Sequence, residues 1–228
     1  MPARINLSTT LILLSGCLFT SSARATDVHQ FGAAGDGVTD DTESLMAALR
    51  ATAGHRTAVL FPAGTYRVET VVLPSNVILK GAGADRSWIQ GRLEVDGGSR
   101  VSDLRLGRDG AALRFAPDAS QVLFRRVAFT GGGGMTSGED QGVIRFSGGR
   151  SASFVAFEDC EIGANSVDGN GVSMVSNGSS DATYHDITWH RCRFGSSPRM
   201  GFEVIQRADD APITTGYRRI DLYDCVFE

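Results

Sequence analysis

One pattern occurs four times in the second half of the chain and restricts what the chain can fold into. VLFRRVAF (122–129), VAFEDCEI (155–162), ITWHRCRF (187–194) and IDLYDCVF (220–227) all read apolar, any, apolar, two polar, apolar, any, apolar. Alternation with period two marks a strand with one buried face, and a polar pair marks a corner between two short strands that share an interior. Cys160, Cys192 and Cys225 lie 32 and 33 residues apart, which is a repeat period and not a zinc-ligand spacing. The interior columns are therefore Val122, Val155, Ile187, Ile220; Phe124, Phe157, Trp189, Leu222; Val127, Cys160, Cys192, Cys225; and Phe129, Ile162, Phe194, Phe227. An earlier short strand precedes each unit: LRF (113–115), IRF (144–146), VSM (172–174) and FEV (202–204), offset by 31, 28 and 30 residues. Three short strands per unit describe a coil that climbs one rung per turn, an all-β parallel β-helix with rungs about 4.8 Å apart. Shorter turns through Val77 and Leu79, Leu93 and Val95, and Val101, Leu104 and Leu106 extend it toward the start.

The chain has 228 residues, 42% of them hydrophobic, enough for one such solenoid over residues 26–228. A formal net charge of -4 offers no global basic field for nucleic acid. Lys80 is the sole lysine, so positive charge resides in arginine, whose planar fork suits carboxylates. Residues 1–25 run from Arg4 through Leu11–Leu14 to Ala23-Arg24-Ala25, the layout of a secretory signal too short to span a membrane. Secreted or periplasmic export is expected. Leu14-Ser15-Gly16-Cys17 also reads as a lipoprotein box, which would instead anchor the chain to the envelope through Cys17. Removing the leader leaves three cysteines, read as buried thiols because parallel in-register side chains disfavour the disulfide torsion.

After FGAAGDGVTDD, Leu45, Met46 and Leu49 stand at helical spacing over Thr42–Ala53, with Asp40 or Asp41 placed to cap the first turn. An amphipathic helix is the expected lid for a solenoid end. The run FGAAGDGVTDDTESLMAAL, then VLFPAGTYRV, then LPSNVILKGAG, resembles the N-terminal signature of the pectate-lyase-like superfamily of right-handed β-helix proteins, with a rhamnogalacturonase/epimerase-type start. That superfamily includes pectate lyases, polygalacturonase- and rhamnogalacturonase-type hydrolases, epimerases and phage tail depolymerases. The resemblance implies an exported protein whose partner is a polysaccharide. At the other end the sequence stops one residue past Phe227, so a truncated or uncapped last rung, open to end-to-end self-association, is expected.

In that superfamily substrate lies along the outer face of the first strand and its entering loops. Here the face offers Arg114, Arg145, Ser173 and Glu203, and the loops add Asp109, Glu139, Asp140, Asp168 and Arg199. Stacking places Asp168 and Glu203 within reach of paired-carboxylate glycoside hydrolysis, with Glu203 as acid and Asp168 as base. In a lyase acting on uronates, Arg145 and Arg199, or a Ca²⁺ held by Glu139, Asp140 and Asp168, would neutralise the sugar carboxylate. Arg199 is then the candidate base, against its very high pKa. Arg114, Arg145 and Ser173 complete the substrate-binding set. The superfamily's best-known series are missing: neither NTD, paired DD, GHG and RIK, nor WxDH and RxPxxR, is present.

Structural readings compete for each residue. Asp168 in NSVDGNG suits a turn, Glu203 and Arg145 suit ion pairs between rungs, and Arg126, Asp159, Arg191 and Asp224 alternate in sign up the corner. Trp88 reads as core or as a sugar-stacking platform, and His185 and His190 lack a partner at ligand spacing. The expected activity is cleavage of acidic polysaccharide by lyase or hydrolase chemistry. The alternative is a non-catalytic glycan-binding or adhesion β-helix.

Overall fold

The computed structural model describes residues 25–55, 57–108, 110–131, 142–146, 150–163, 169–177, 183–195, 200–207 and 216–228. The first coils contain β1 (Ala25–Asp27), a 3-10 turn, β2 (Asp36–Asp40), α1 (Thr42–Thr52), β3 (Ala58–Phe61), β4 (Gly64–Leu73) and β5 (Ile78–Gly81). The middle coils contain β6 (Ser87–Val95), β7 (Arg100–Leu106), β8 (Leu113–Phe115), β9 (Ala119–Phe129), β10 (Gly142–Phe146), β11 (Ala152–Glu158) and β12 (Glu161–Ile162). The last contain β13 (Asn170–Asn177), β14 (Tyr184–His190), β15 (Arg193–Phe194), β16 (Met200–Arg207), β17 (Tyr217–Tyr223) and β18 (Val226–Phe227).

Every pairing between these strands is parallel, the arrangement of a right-handed parallel β-helix. One ladder runs β4, β6, β8, β10, β13, β16 and a second β5, β7, β9, β11, β14, β17. The short β12, β15 and β18 continue the end of β9 as a third. The register reproduces the repeat: Val122, Val155, Ile187 and Ile220 are aligned, as are Phe124, Phe157, Trp189 and Leu222. Stacked aromatics follow, with Phe124 and Phe157 centroids 4.9 Å apart and Phe157 and Trp189 3.7 Å apart. Cys160 and Cys192 are buried, Cys225 is half-buried, and all three are free thiols.

The polar pair of each unit is a corner because one residue takes left-handed backbone, which lets two consecutive side chains point outward. Asp103, Arg126, Asp159, Arg191 and Asp224 form this column, with φ between 51° and 58°. Non-glycine residues pay a steric penalty there, on the order of 1 kcal/mol each, and charge pairing along the column offsets part of it. Arg126 meets Asp103 through Nε–Oδ1 (2.6 Å) and Nη2–Oδ2 (3.0 Å), and Arg191 meets Asp159 at 2.6 and 2.9 Å. The alternating ladder is real, but Arg126 bonds downward to Asp103 and not upward to Asp159, and Arg193, aligned with Glu161, pairs with Glu228. A second left-handed column, Gln121, Phe154, Asp186 and Arg219, enters the same strands and has no counterpart in the sequence reading.

At the start, α1 buries Leu45, Ala48, Leu49 and Thr52 over the first coil. The capping role falls to Asp40, whose Oδ1 accepts from Thr42 N (3.0 Å) and Oγ1 (2.6 Å). Asp41 turns inward and accepts from the Ala34 and Gly35 amides, pinning the glycine-rich entry loop to the helix. Above it, burial and the Asp27 and Asp41 charges push the Tyr66 hydroxyl up to about 12.

Candidate functional site

The outer face of the first ladder carries a single file of side chains in strict register. Glu94 of β6 aligns with Arg114 of β8, Arg114 with Arg145 of β10, Arg145 with Ser173 of β13, and Ser173 with Glu203 of β16. Stacking therefore brings together the four face residues expected from the sequence. It separates Arg145 from Glu203 by the Ser173 rung, so these two are not a pair on neighbouring rungs.

The file differs from the expected open surface. Arg145, Ser173 and Glu203 are 2%, 4% and 6% exposed, whereas Arg114 is half-buried. Glu203 is held at one oxygen: Asn170 Nδ2 donates to Oε2 at 2.5 Å and Ser173 Oγ donates to the same atom at 3.3 Å. A buried carboxylate is tolerated only where donors replace water, and these two also fix its orientation. Asn170 is itself 1% exposed, and the sequence reading missed it, since in GNG it looks like an ordinary turn residue.

Toward the start of the file, Arg150 Nη1 meets Glu94 Oε1 at 2.7 Å. On the same strand as Glu94, Arg92 donates from Nε to the Ala111 carbonyl (3.1 Å). Burial, and then the like charge of Arg114, hold the Arg92 guanidinium below its ordinary pKa. Arg92, Arg114 and Arg150 are thus gathered here around the single carboxylate of Glu94, with Arg92 partly desolvated.

Asp109, Glu139, Asp140, Asp168 and Arg199 lie outside the described residues, and with them both the Ca²⁺ set and the partner carboxylate expected for Glu203. Among the described residues no group of three or more His, Cys, Asp or Glu side chains is placed to hold a metal ion, and no helix is long and apolar enough to cross a membrane. Trp88 is tied down by its Nε1 bond to the Gly107 carbonyl (2.7 Å), and the Arg105 guanidinium lies over its ring, 5.4 Å from the centroid. His185 bonds Asp186 and His190 bonds Arg191, both on the second ladder and away from the file.

A helix-lidded parallel β-helix with a polar file along its first ladder is a pectate-lyase-like architecture. The chain belongs to the rhamnogalacturonase A/epimerase, pectate lyase-like family, which matches residues 25–204. Among solved structures it is similar to ORF18 of Geobacillus virus E2 (TM-score 0.54, 19% identity, 88% of this chain and 48% of that one). It is also similar to a provisionally assigned glycosyl hydrolase of Parabacteroides merdae (TM-score 0.54, 13% identity, 90% and 96%). A third is the catalytic unit of a GH87 alpha-1,3-glucanase from Streptomyces thermodiastaticus (TM-score 0.53, 16% identity, 88% and 40%). At such identities the likeness is one of fold. The chain spans about half the length of the first of these structures, 48%. A comparison with curated protein sequences finds no match.

Proposed function

We propose that the chain is an exported, polysaccharide-active β-helix protein that cleaves acidic polysaccharide along the outer-face file, with Glu203 handling the proton. The observation that carries this reading is the Glu203 carboxylate, 6% exposed on the polar side of the sheet and oriented by Asn170 and Ser173. A carboxylate removed from water and locked in direction is suited to proton transfer at a fixed oxygen. Arg145 and Arg114, one and two rungs beyond Ser173, supply the fork geometry that a uronate carboxylate matches. The family membership, with a glycosyl hydrolase and an alpha-1,3-glucanase among the similar folds, supports a polysaccharide as the substrate; its acidic character rests on the arginines of the file.

In the hydrolytic form, Glu203 protonates the glycosidic oxygen as the bond to the leaving sugar breaks, while Asp168 takes a proton from the attacking water. In the eliminative form, Arg145 neutralises the uronate carboxylate, Arg199 in its neutral form takes the adjacent ring proton, the freed electron pair forms the ring double bond as the glycosidic bond breaks, and Glu203 protonates the departing oxygen. The second reading, glycan binding without cleavage, is favoured by the burial of Arg145, Ser173 and Glu203, which withholds these groups from a reacting bond and leaves contact to the more open Arg114.

Incubation with acidic and neutral polysaccharides, with and without calcium, while following unsaturated ends and reducing ends, separates these forms. Unsaturated ends identify the lyase, and reducing ends alone identify the hydrolase. Glu203→Gln keeps an acceptor for Asn170 and Ser173, so it should fold normally and lose at least about 10²-fold in turnover. Unchanged turnover in that variant removes the site assignment, and retention on a glycan column without any turnover leaves the binding reading.

A further inference from the structure

A second feature of the same face lies toward the capped end. Between Arg67 and Thr70 the register of β4 against β6 slips, so Val68 and Glu69 oppose the single residue Gly91. The backbones approach so closely that a Cβ on Gly91 would sit 2.2 Å from the Val68 carbonyl oxygen, and only glycine fits. A bulge of this kind bends a strand and re-aims its side chains. The result is a concavity of about 300 Å³ lined by Arg67, Glu69, Gln90, Arg92 and Arg108, among others.

Three guanidiniums line this hollow with one carboxylate, Glu69, while the charge of Asp40 lies near Arg67 and that of Glu94 near Arg92. Arg67 Nη1 donates to the Val38 carbonyl (3.3 Å), and Arg92 is anchored through Nε to the Ala111 carbonyl. Arg67 and Arg108 are exposed and Arg92 is half-buried. Planar forks lining a concavity, one of them half-buried, supply donors suited to a planar anion.

We propose that the concavity at the β4–β6 bulge is a binding subsite for the carboxylate of an acidic saccharide. The ligand class rests on the acidic-glycan reading above, but the binding is separable from cleavage. Glu94, next to Arg92 on β6, is four rungs from Glu203 along the file, so the subsite lies roughly 19 Å from the proposed reaction centre. One sugar ring cannot touch both.

The test is calorimetric titration of the full chain with digalacturonate, maltose and sodium sulfate. Digalacturonate is expected to bind at least tenfold more tightly than maltose, and its affinity to fall as salt is raised. Arg67→Gln/Arg108→Gln, at two exposed positions, should lose at least about tenfold, corresponding to one charge-assisted hydrogen bond. Glu69→Gln should tighten binding, and Arg50→Gln on α1 should leave it unchanged. Equal affinity for maltose, or a double variant that binds like the parent, overturns the proposal. Sulfate binding as tightly through the same arginines overturns the saccharide assignment. Glu203→Gln should bind digalacturonate normally here whether or not the chain cleaves anything, so failure of the cleavage reading and failure of this one are distinguishable.

Discussion

Two rungs with the same pattern of residue types meet different surroundings. In the β11–β12 rung Val155, Phe157, Cys160 and Ile162 are at most 2% exposed. Their counterparts in β17–β18 are partly open, with Leu222 38% and Phe227 54% exposed. The alternation decides which side chains face inward; a rung on each side decides whether they leave water. Glu203 and Val204 reverse the usual expectation, since the charged outward residue is 6% exposed and its apolar inward neighbour 47%. Polarity therefore does not report burial along this coil, whereas position in the stack does.

The largest test of that contrast is Phe157→Ala, which empties the place between the Phe124 and Trp189 rings. A loss of about 3–5 kcal/mol is expected in denaturant unfolding, the usual range for a buried phenylalanine. Phe227→Ala removes a ring stacked on Phe194 at 4.5 Å but more than half exposed, and should cost about 1 kcal/mol. Equal losses at the two positions would break the comparison. The smallest effect is expected at the corner column. The Arg191 guanidinium, through its hydrogen bonds and charge, holds the Asp159 carboxyl below its ordinary pKa. A depressed carboxylate stabilises the fold above its unfolded pKa, and that contribution is lost as pH falls through the lower folded value. Because the pair is exposed, Asp159→Asn should cost less than about 1 kcal/mol near neutrality. The variant and parent should converge in stability below about pH 4, and a constant difference across that range would rule out the ion pair as the cause.

Much of this architecture is legible in the sequence because period-two alternation and a fixed repeat are properties of single letters in order. The columns ending in Leu222 and Phe227 and the polar corners follow from that alone. The left-handed backbone at Phe154 leaves no mark, since a phenylalanine gives no turn signal, and the bulge opposite Gly91 is hidden inside VETVV, which reads as continuous strand. At the site, register supplied the file from Arg114 to Glu203. The Asn170–Glu203 bond depends on side-chain direction across 33 residues of sequence, and the sequence carries no trace of it.

The sign alternation at the corners also limits how such a coil can change length. Asp103, Arg126, Asp159, Arg191 and Asp224 give the helicoid an odd–even parity. Excising one whole turn would seat Phe124 comfortably under Trp189 yet set Arg126 beneath Arg191, cation against cation. Excising two would restore the sequence of opposites, so lengthening or shortening by duplication is least costly in steps of a pair.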